Sequence, residues 1–199
     1  MHALRRGIAL ADTELVAICD ADTWYPPHYL ARAQALFDNK GPECVAVAAH
    51  LRPDTQSKWR ISAAQAHRLI AARLMPRQNH TSGAAQCFRT TTLKAVGGYD
   101  AAIWPYVLKD HELMHRVLGQ GRQCYDANLW CISSDRRRDR RAVRWTLAER
   151  IVYHLMPFGL KHAFFHRYLA RRFEARGQRD TALRQRGWES SPASPVMPA

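Results

Sequence analysis

The chain has 199 residues, 47% hydrophobic and 24% charged, a globular composition with room for one domain and an appendage. Ten Gly and ten Pro exclude collagen-like or low-complexity character, and no apolar run approaches the 18 residues of a membrane-spanning helix. The formal net charge of +13 is uneven: between Asp135 and Arg186, 15 Lys and Arg stand against 5 Asp and Glu, a local balance of +10. A basic C-terminal third points to a local surface facing phosphates, acidic polymers or anionic lipid heads. Arg supplies 25 of the 30 positive charges. The start, Met1-His-Ala-Leu-Arg-Arg6, has no apolar h-region of a secretory signal. Five Cys without a C-x-x-C pair argue against a disulfide framework or zinc ribbon and for a reducing cytosol.

In chain order, Ala3 to Ala11 reads as a helix end and Asp12-Thr13 as a break. Glu14-Leu-Val-Ala-Ile-Cys19 is an apolar run of strand length, followed at once by Asp20-Ala21-Asp22. Pro26-Pro27 punctuates, and Leu30, Ala33 and Phe37 give His28 to Asn39 helical spacing that Gly41-Pro42 ends. Cys44 to Ala49 reads as a second buried strand, and Ala-rich Ser57 to Leu74 as a helix. A short strand at Ala84 to Phe88, a short helix at Thr90 to Val96 and a stop at Gly97-Gly98 follow. Helical character resumes over Asp110 to Leu118, Gly119 to Gly121 ends it, and Arg122 to Leu129 is one more strand. Strands alternating with helices predict an α/β domain with a mostly parallel sheet. Beyond Ser133 two amphipathic helices are expected, Arg144 to Met156 and Leu160 to about Ala175, with a Ser/Pro-rich tail from Ser190. The division is 1–133 for the α/β domain, 134–187 for the basic helical extension and 188–199 for a disordered tail.

Asp20 and Asp22 stand at i and i+2 just past a buried strand, where open α/β sheets place their ligands. Their hard oxygens suit Mg2+ or Mn2+, which can bridge to a diphosphate. Alone, the same pair equally describes a polar turn.

Two further segments accompany it in order. Gly83-Ala-Ala-Gln-Cys-Phe-Arg-Thr-Thr-Thr-Leu-Lys-Ala-Val-Gly-Gly-Tyr-Asp100 reads as strand, short helix and Gly-Gly-aromatic-Asp turn. Trp104-Pro-Tyr-Val-Leu-Lys-Asp-His-Glu-Leu113 precedes Arg116 and Gly121. Together with Asp20 to Leu30, these segments resemble family 2 glycosyltransferases over roughly Leu4 to Trp130. The resemblance implies a GT-A-like, Rossmann-like fold and inverting transfer of a sugar from a nucleotide-diphosphate sugar to an acceptor hydroxyl. It implies Asp22 as ligand of Mn2+ or Mg2+, Asp20 as ligand of the nucleotide ribose or the metal, and Asp110 as general base. A glycan or lipid-linked acceptor is expected with it, and the cysteines, the chain start and the basic C-terminal helices lead to the expectation of a cytoplasmic protein, peripheral at the inner face of the membrane. For Asp110 the plain alternative is a carboxylate favoured at a helix N-terminus.

The sequence departs from the family twice. Lys109 stands where the family has an acid before Asp110, and a cation there would lower the basicity of Asp110. The family's Pro-x-Tyr-Asn strand and nucleoside-binding half precede the segment that begins here at Leu4. The 199 residues alone are therefore expected to transfer poorly, with an uncovered strand at Leu15 to Cys19 that favours low solubility or oligomers.

His111-Glu112-Leu113-Met114-His115 satisfies the H-E-x-x-H zinc hydrolase pattern and forms the competing reading, with Glu112 as base and a third ligand no nearer than Glu149. A non-catalytic remnant that binds the membrane surface is the third. Ser133 to Arg141 offers Arg to a donor diphosphate or to anionic lipid, and the faces of both C-terminal helices are expected to bind anionic vesicles. His162 and His166, four apart, read as polar-face residues. Nucleic acid is not expected as a partner, because Phe164, Phe165, Tyr168 and Phe173 lie opposite the Arg rather than among them.

Overall fold

Seven of the eight residues of the strand Cys44–Leu51 are buried, so an unbroken apolar run, rather than an alternating one, builds the centre of the sheet. The computed structural model describes residues 2–53, 55, 57–133 and 145–181. In chain order they form α1 (His2–Leu10), β1 (Leu15–Ile18), β2 (Thr23–Trp24), α2 (Tyr29–Lys40), β3 (Cys44–Leu51) and α3 (Lys58–Leu74). A 3-10 turn (Gly83–Ala85) leads into β4 (Gln86–Arg89), α4 (Thr90–Ala95), α5 (Lys109–Val117) and β5 (Arg122–Ser133). Then come α6 (Leu147–Leu155), a second 3-10 turn (Phe158–Leu160), α7 (Lys161–Ala163), a π-helical stretch (Phe164–Leu169) and α8 (Ala170–Ala175).

The sheet order is β1-β4-β3-β5-β2. β3 and β5 pair in parallel, while β4 runs antiparallel to both β1 and β3, and β2 antiparallel to β5. The GT-A-like α/β class expected from the sequence holds, but the pairing is more mixed than a mostly parallel sheet. β1, β3 and β5 share a direction, and β4 is wedged between the first two. Consecutive β1 and β2 lie at opposite edges although only residues 19–22 separate them, so the sheet curls. The two-residue strand β2 was not foreseen, since two residues carry no period. β5 continues past Leu129 to Ser133, because after Tyr125↔Ala48 it bulges before pairing Trp130↔His50. Arg32 forks both oxygens of Asp126 in that bulge at 3.1 and 3.0 Å.

Two cores flank the sheet. α2 places Tyr29, Ala33 and Phe37 against Val47, Ala49 and Leu129 on one face. On the other, Ile8 of α1 and Leu113, Met114 and Val117 of α5 meet Val45 and Phe88. Gly121 permits the approach of β5 to β3, because a Cβ there would lie 2.6 Å from the Glu43 carbonyl oxygen. A third core joins the segment before α5 to the C-terminal helices: Trp104 and Val107 pack with Tyr153, Phe164, Phe165, Leu169 and Phe173. The π-helical stretch accommodates the adjacent Phe164 and Phe165, both buried in this core. No helix among the described residues is long and apolar enough to cross a membrane. The Arg run of residues 134–144 and the tail lie outside the described residues.

Candidate active site

Asp20 and Asp22 occupy the turn that leaves the C-terminal end of β1, closed by the Thr23 N–H donating to the Asp20 carbonyl at 3.1 Å. The Asp20 N–H donates to the Tyr25 hydroxyl at 3.0 Å, and that hydroxyl donates to the Ala84 carbonyl at 2.7 Å. One phenol thus ties the carboxylate turn to the 3-10 turn at Gly83–Ala85.

Asp110 arrives at the same turn from the other side. A Cβ on Gly83 would stand 3.3 Å from the Asp110 β-carbon and 3.0 Å from the Tyr99 hydroxyl, so glycine permits the close approach. Tyr99 is buried, and its phenol is held well above the ordinary tyrosine value by burial and then by the charges of Asp110 and Asp20, against an opposing pull from Arg116. Both carboxylates therefore lie within electrostatic reach of one hydroxyl, at one end of the sheet. Asp22 is half-buried in the same turn as Asp20.

Asp110 sits in the first turn of α5, where the helix dipole favours an anion. Leu108, just before the helix, adopts the left-handed conformation at φ 59°, a strained geometry for a branched side chain. Burial pushes the Asp110 carboxyl up, but the facing His111 ring, with Nδ1 3.1 Å from Oδ1, and the backbone N–H groups of Asp110 and His111 together outweigh it and leave the group below the usual aspartate value. The cation feared at Lys109 is engaged elsewhere, since its Nζ lies 2.8 Å from Asp180 Oδ1. His111 packs edge-on against Trp145 and Tyr153.

The zinc reading is overturned by the same helix. Glu112 is fully buried and accepts from Arg116 at 2.9 Å and from the His166 ring at 3.2 Å, so it faces a cation rather than a metal. His111 turns to Asp110, while His115 packs against Phe158 and Phe165, where burial lowers its pKa to about 4. Among the described residues no group of three or more His, Cys, Asp or Glu is arranged to hold a metal ion. Asp20 and Asp22 do not require such a cage. A hard divalent ion such as Mn2+ or Mg2+ can be held by one or two carboxylates, with substrate phosphate and water completing its shell.

Arg116 also donates to the carbonyls of Val96 and Gly98, pinning the Gly97-Gly98 turn that carries Tyr99. Sequence reasoning missed Tyr99, Tyr25 and His111 as parts of the site. It also missed Asn79 and Gln86, a buried amide pair joined at 3.1 Å whose remaining nitrogen and oxygen have no partner among the described residues. Two polar residues on an apolar strand and a loop were the available signal.

Residues 1–97 match the glycosyl transferase family 2 model. The match ends before Asp110. No curated protein sequence matches the chain. Among solved structures the fold is similar to that of the mannosyltransferase PcManGT from Pyrobaculum calidifontis, in complex with GDP-Man and Mn2+. The TM-score is 0.53 at 21% identity, over 81% of this chain and 42% of that one, so this chain spans less than half of that protein. Residues 1–97, just under half of the chain, are thus similar to glycosyl transferase family 2, and the fold is GT-A-like.

Proposed function

We propose that this protein transfers a sugar from a nucleotide-diphosphate donor to an acceptor hydroxyl, with inversion at the anomeric carbon. The observation that carries the reading is that the Asp20 turn, tied through the Tyr25 hydroxyl to Ala84, and Asp110, packed against Gly83, meet at the same 3-10 turn. Asp20 and Asp22 would hold a divalent ion, Mn2+ or Mg2+, which would supply neutralisation of the diphosphate leaving group. Asp110 takes the proton of the acceptor hydroxyl as that oxygen bonds to the anomeric carbon and the bond to the diphosphate breaks. His111 orients the carboxylate and keeps it ionised at neutral pH. The structural neighbour carries GDP-Man and Mn2+, which makes GDP-mannose the first donor to try. The acceptor is a glycan or a lipid-linked sugar, and the site works in the cytoplasm.

Calorimetry with GDP- and UDP-sugars, with and without Mn2+, tests this. Metal-dependent donor binding should vanish in Asp22→Asn and persist in Asp110→Asn, which instead loses turnover by a factor of at least about a hundred. Donor binding indifferent to Asp22→Asn would defeat the metal assignment.

A further inference from the structure

Helix α3 has 17 residues and buries only Ala72. It is held from within by the Gln65 amide, which donates to the Ala127 carbonyl at 2.6 Å. Its outer face is apolar: Trp59 is 74% exposed, Ile70 58% and Leu74 74%, with exposed Ala63 and Ala66 between them at helical spacing. Helix α6 repeats the pattern, with Leu147 at 71%, Ile151 at 48% and Leu155 at 79%. The loop that follows α3 is joined to the C-terminal end of α6, where Gln78 and His154 exchange bonds of 2.9 and 2.6 Å. In sequence, Leu155 follows His154 and Leu74 precedes Gln78 by four residues. The sequence pattern of α6 suits packing onto the domain, yet the side that packs carries Tyr153 and Glu149 and leaves the leucine stripe outside.

The charges around these stripes are of one sign. Arg60, Arg73, Arg77 and Arg150 are exposed, and α3 contains no Asp or Glu. The only acid of α6, Glu149, is buried and neutralised by Arg172 and Arg176 at 2.6 Å each. Those two arginines are thus engaged by Glu149, although the Arg172 side chain stays 48% exposed. A second copy docking here would bring arginine against arginine.

We propose that the α3–α6 surface docks on an anionic bilayer, its leucines, isoleucines and Trp59 entering the headgroup region and its arginines meeting lipid phosphates. The proposal stands apart from the transferase reading, since its test involves no donor. Co-sedimentation of the 199-residue protein compares neutral phosphatidylcholine vesicles with vesicles containing roughly one-third phosphatidylglycerol. Binding to the anionic vesicles should be about tenfold stronger and fall about tenfold between low and half-molar salt. The doubly substituted Leu74→Glu/Leu155→Glu protein, altered only at exposed positions, should keep its circular dichroism and lose about tenfold in binding. Arg60→Glu/Arg73→Glu should do the same and abolish the preference for anionic lipid. Equal binding to both vesicles, or anionic binding unchanged in the leucine pair, would overturn the proposal. So would a vesicle-indifferent protein whose self-association those leucine substitutions remove, since a second copy would then cover the stripe.

Discussion

Asp110 and His111 are neighbours in sequence and partners in space, and their bond sets how the carboxylate titrates. A carboxylate whose folded pKa lies below the unfolded value contributes stability above the unfolded value and loses it as pH falls through the folded one. Asp110 is such a group. Its midpoint, followed by carboxyl NMR, should lie below about 3.9 in the native protein and rise in His111→Ala. An unmoved midpoint would strip His111 of this role. Asp20, Asp22 and Asp110 were legible as candidates because strand-then-acid and acid-at-helix-start are local patterns. Tyr99 and Tyr25 were not. Their hydroxyls matter through Asp110, Asp20 and Ala84, and no spacing rule reports such contacts. Lys109 shows the converse error: a charge adjacent in sequence was assigned to Asp110, whereas Asp180 holds it across 71 positions.

Helix α5 is fastened to its surroundings through one buried acid. Glu112 receives Arg116 from its own helix and His166 from the π-helical stretch, while Arg116 grips the Gly97-Gly98 turn. The family's downstream arginine was visible in the sequence, but its work as a clamp between helix and turn was not. Burial pushes the Glu112 carboxyl up, and the His166 and Arg116 contacts outweigh it, leaving the group below the ordinary glutamate value. Its stabilising contribution is therefore present at neutral pH and lost on acidification. Glu112→Ala strands a partly buried guanidinium and should cost about 3–5 kcal/mol in urea unfolding. A change within about 0.5 kcal/mol would mean that the cluster is not a stabilising unit. Most elements were legible to within a few residues because their apolar runs are long. β2 and the far end of β5 were not, since β2 exists only through the pairings Thr23↔Ser133 and Trp24↔Ile132, and the end of β5 through these and its pairing to His50 and Leu51 beyond the bulge.

At the scale of the molecule, the sequence divides near residue 133, yet the packing runs across that division. Trp104 is 1% exposed within a core otherwise drawn largely from Tyr153, Phe164, Phe165, Leu169 and Phe173. Val107 also accepts through its carbonyl from the Trp104 indole at 2.8 Å. The C-terminal helices and the α/β body should therefore unfold together. Near- and far-ultraviolet circular dichroism should give one coincident transition, and Trp104→Ala should lower it by about 3–5 kcal/mol without splitting it. Two separated transitions in the native protein would restore the helices to a domain of their own. The change of charge in the C-terminal third was legible in composition. The shared core was not, since aromatic spacing in a helix names a face without naming what covers it.

The curl of the sheet also orders events in time. The turn bearing Asp20 and Asp22 joins the two edge strands, and β4, β3 and β5 lie between them. β1 is released early in synthesis, but its partner β4 ends at Arg89, and β2 waits for Ser133. A nascent chain therefore carries both carboxylates long before it can fix their position. Asp110 emerges in the interval between those two pairings. The geometry of the carboxylate turn is thus a late product of folding, completed only when β5 closes the far edge.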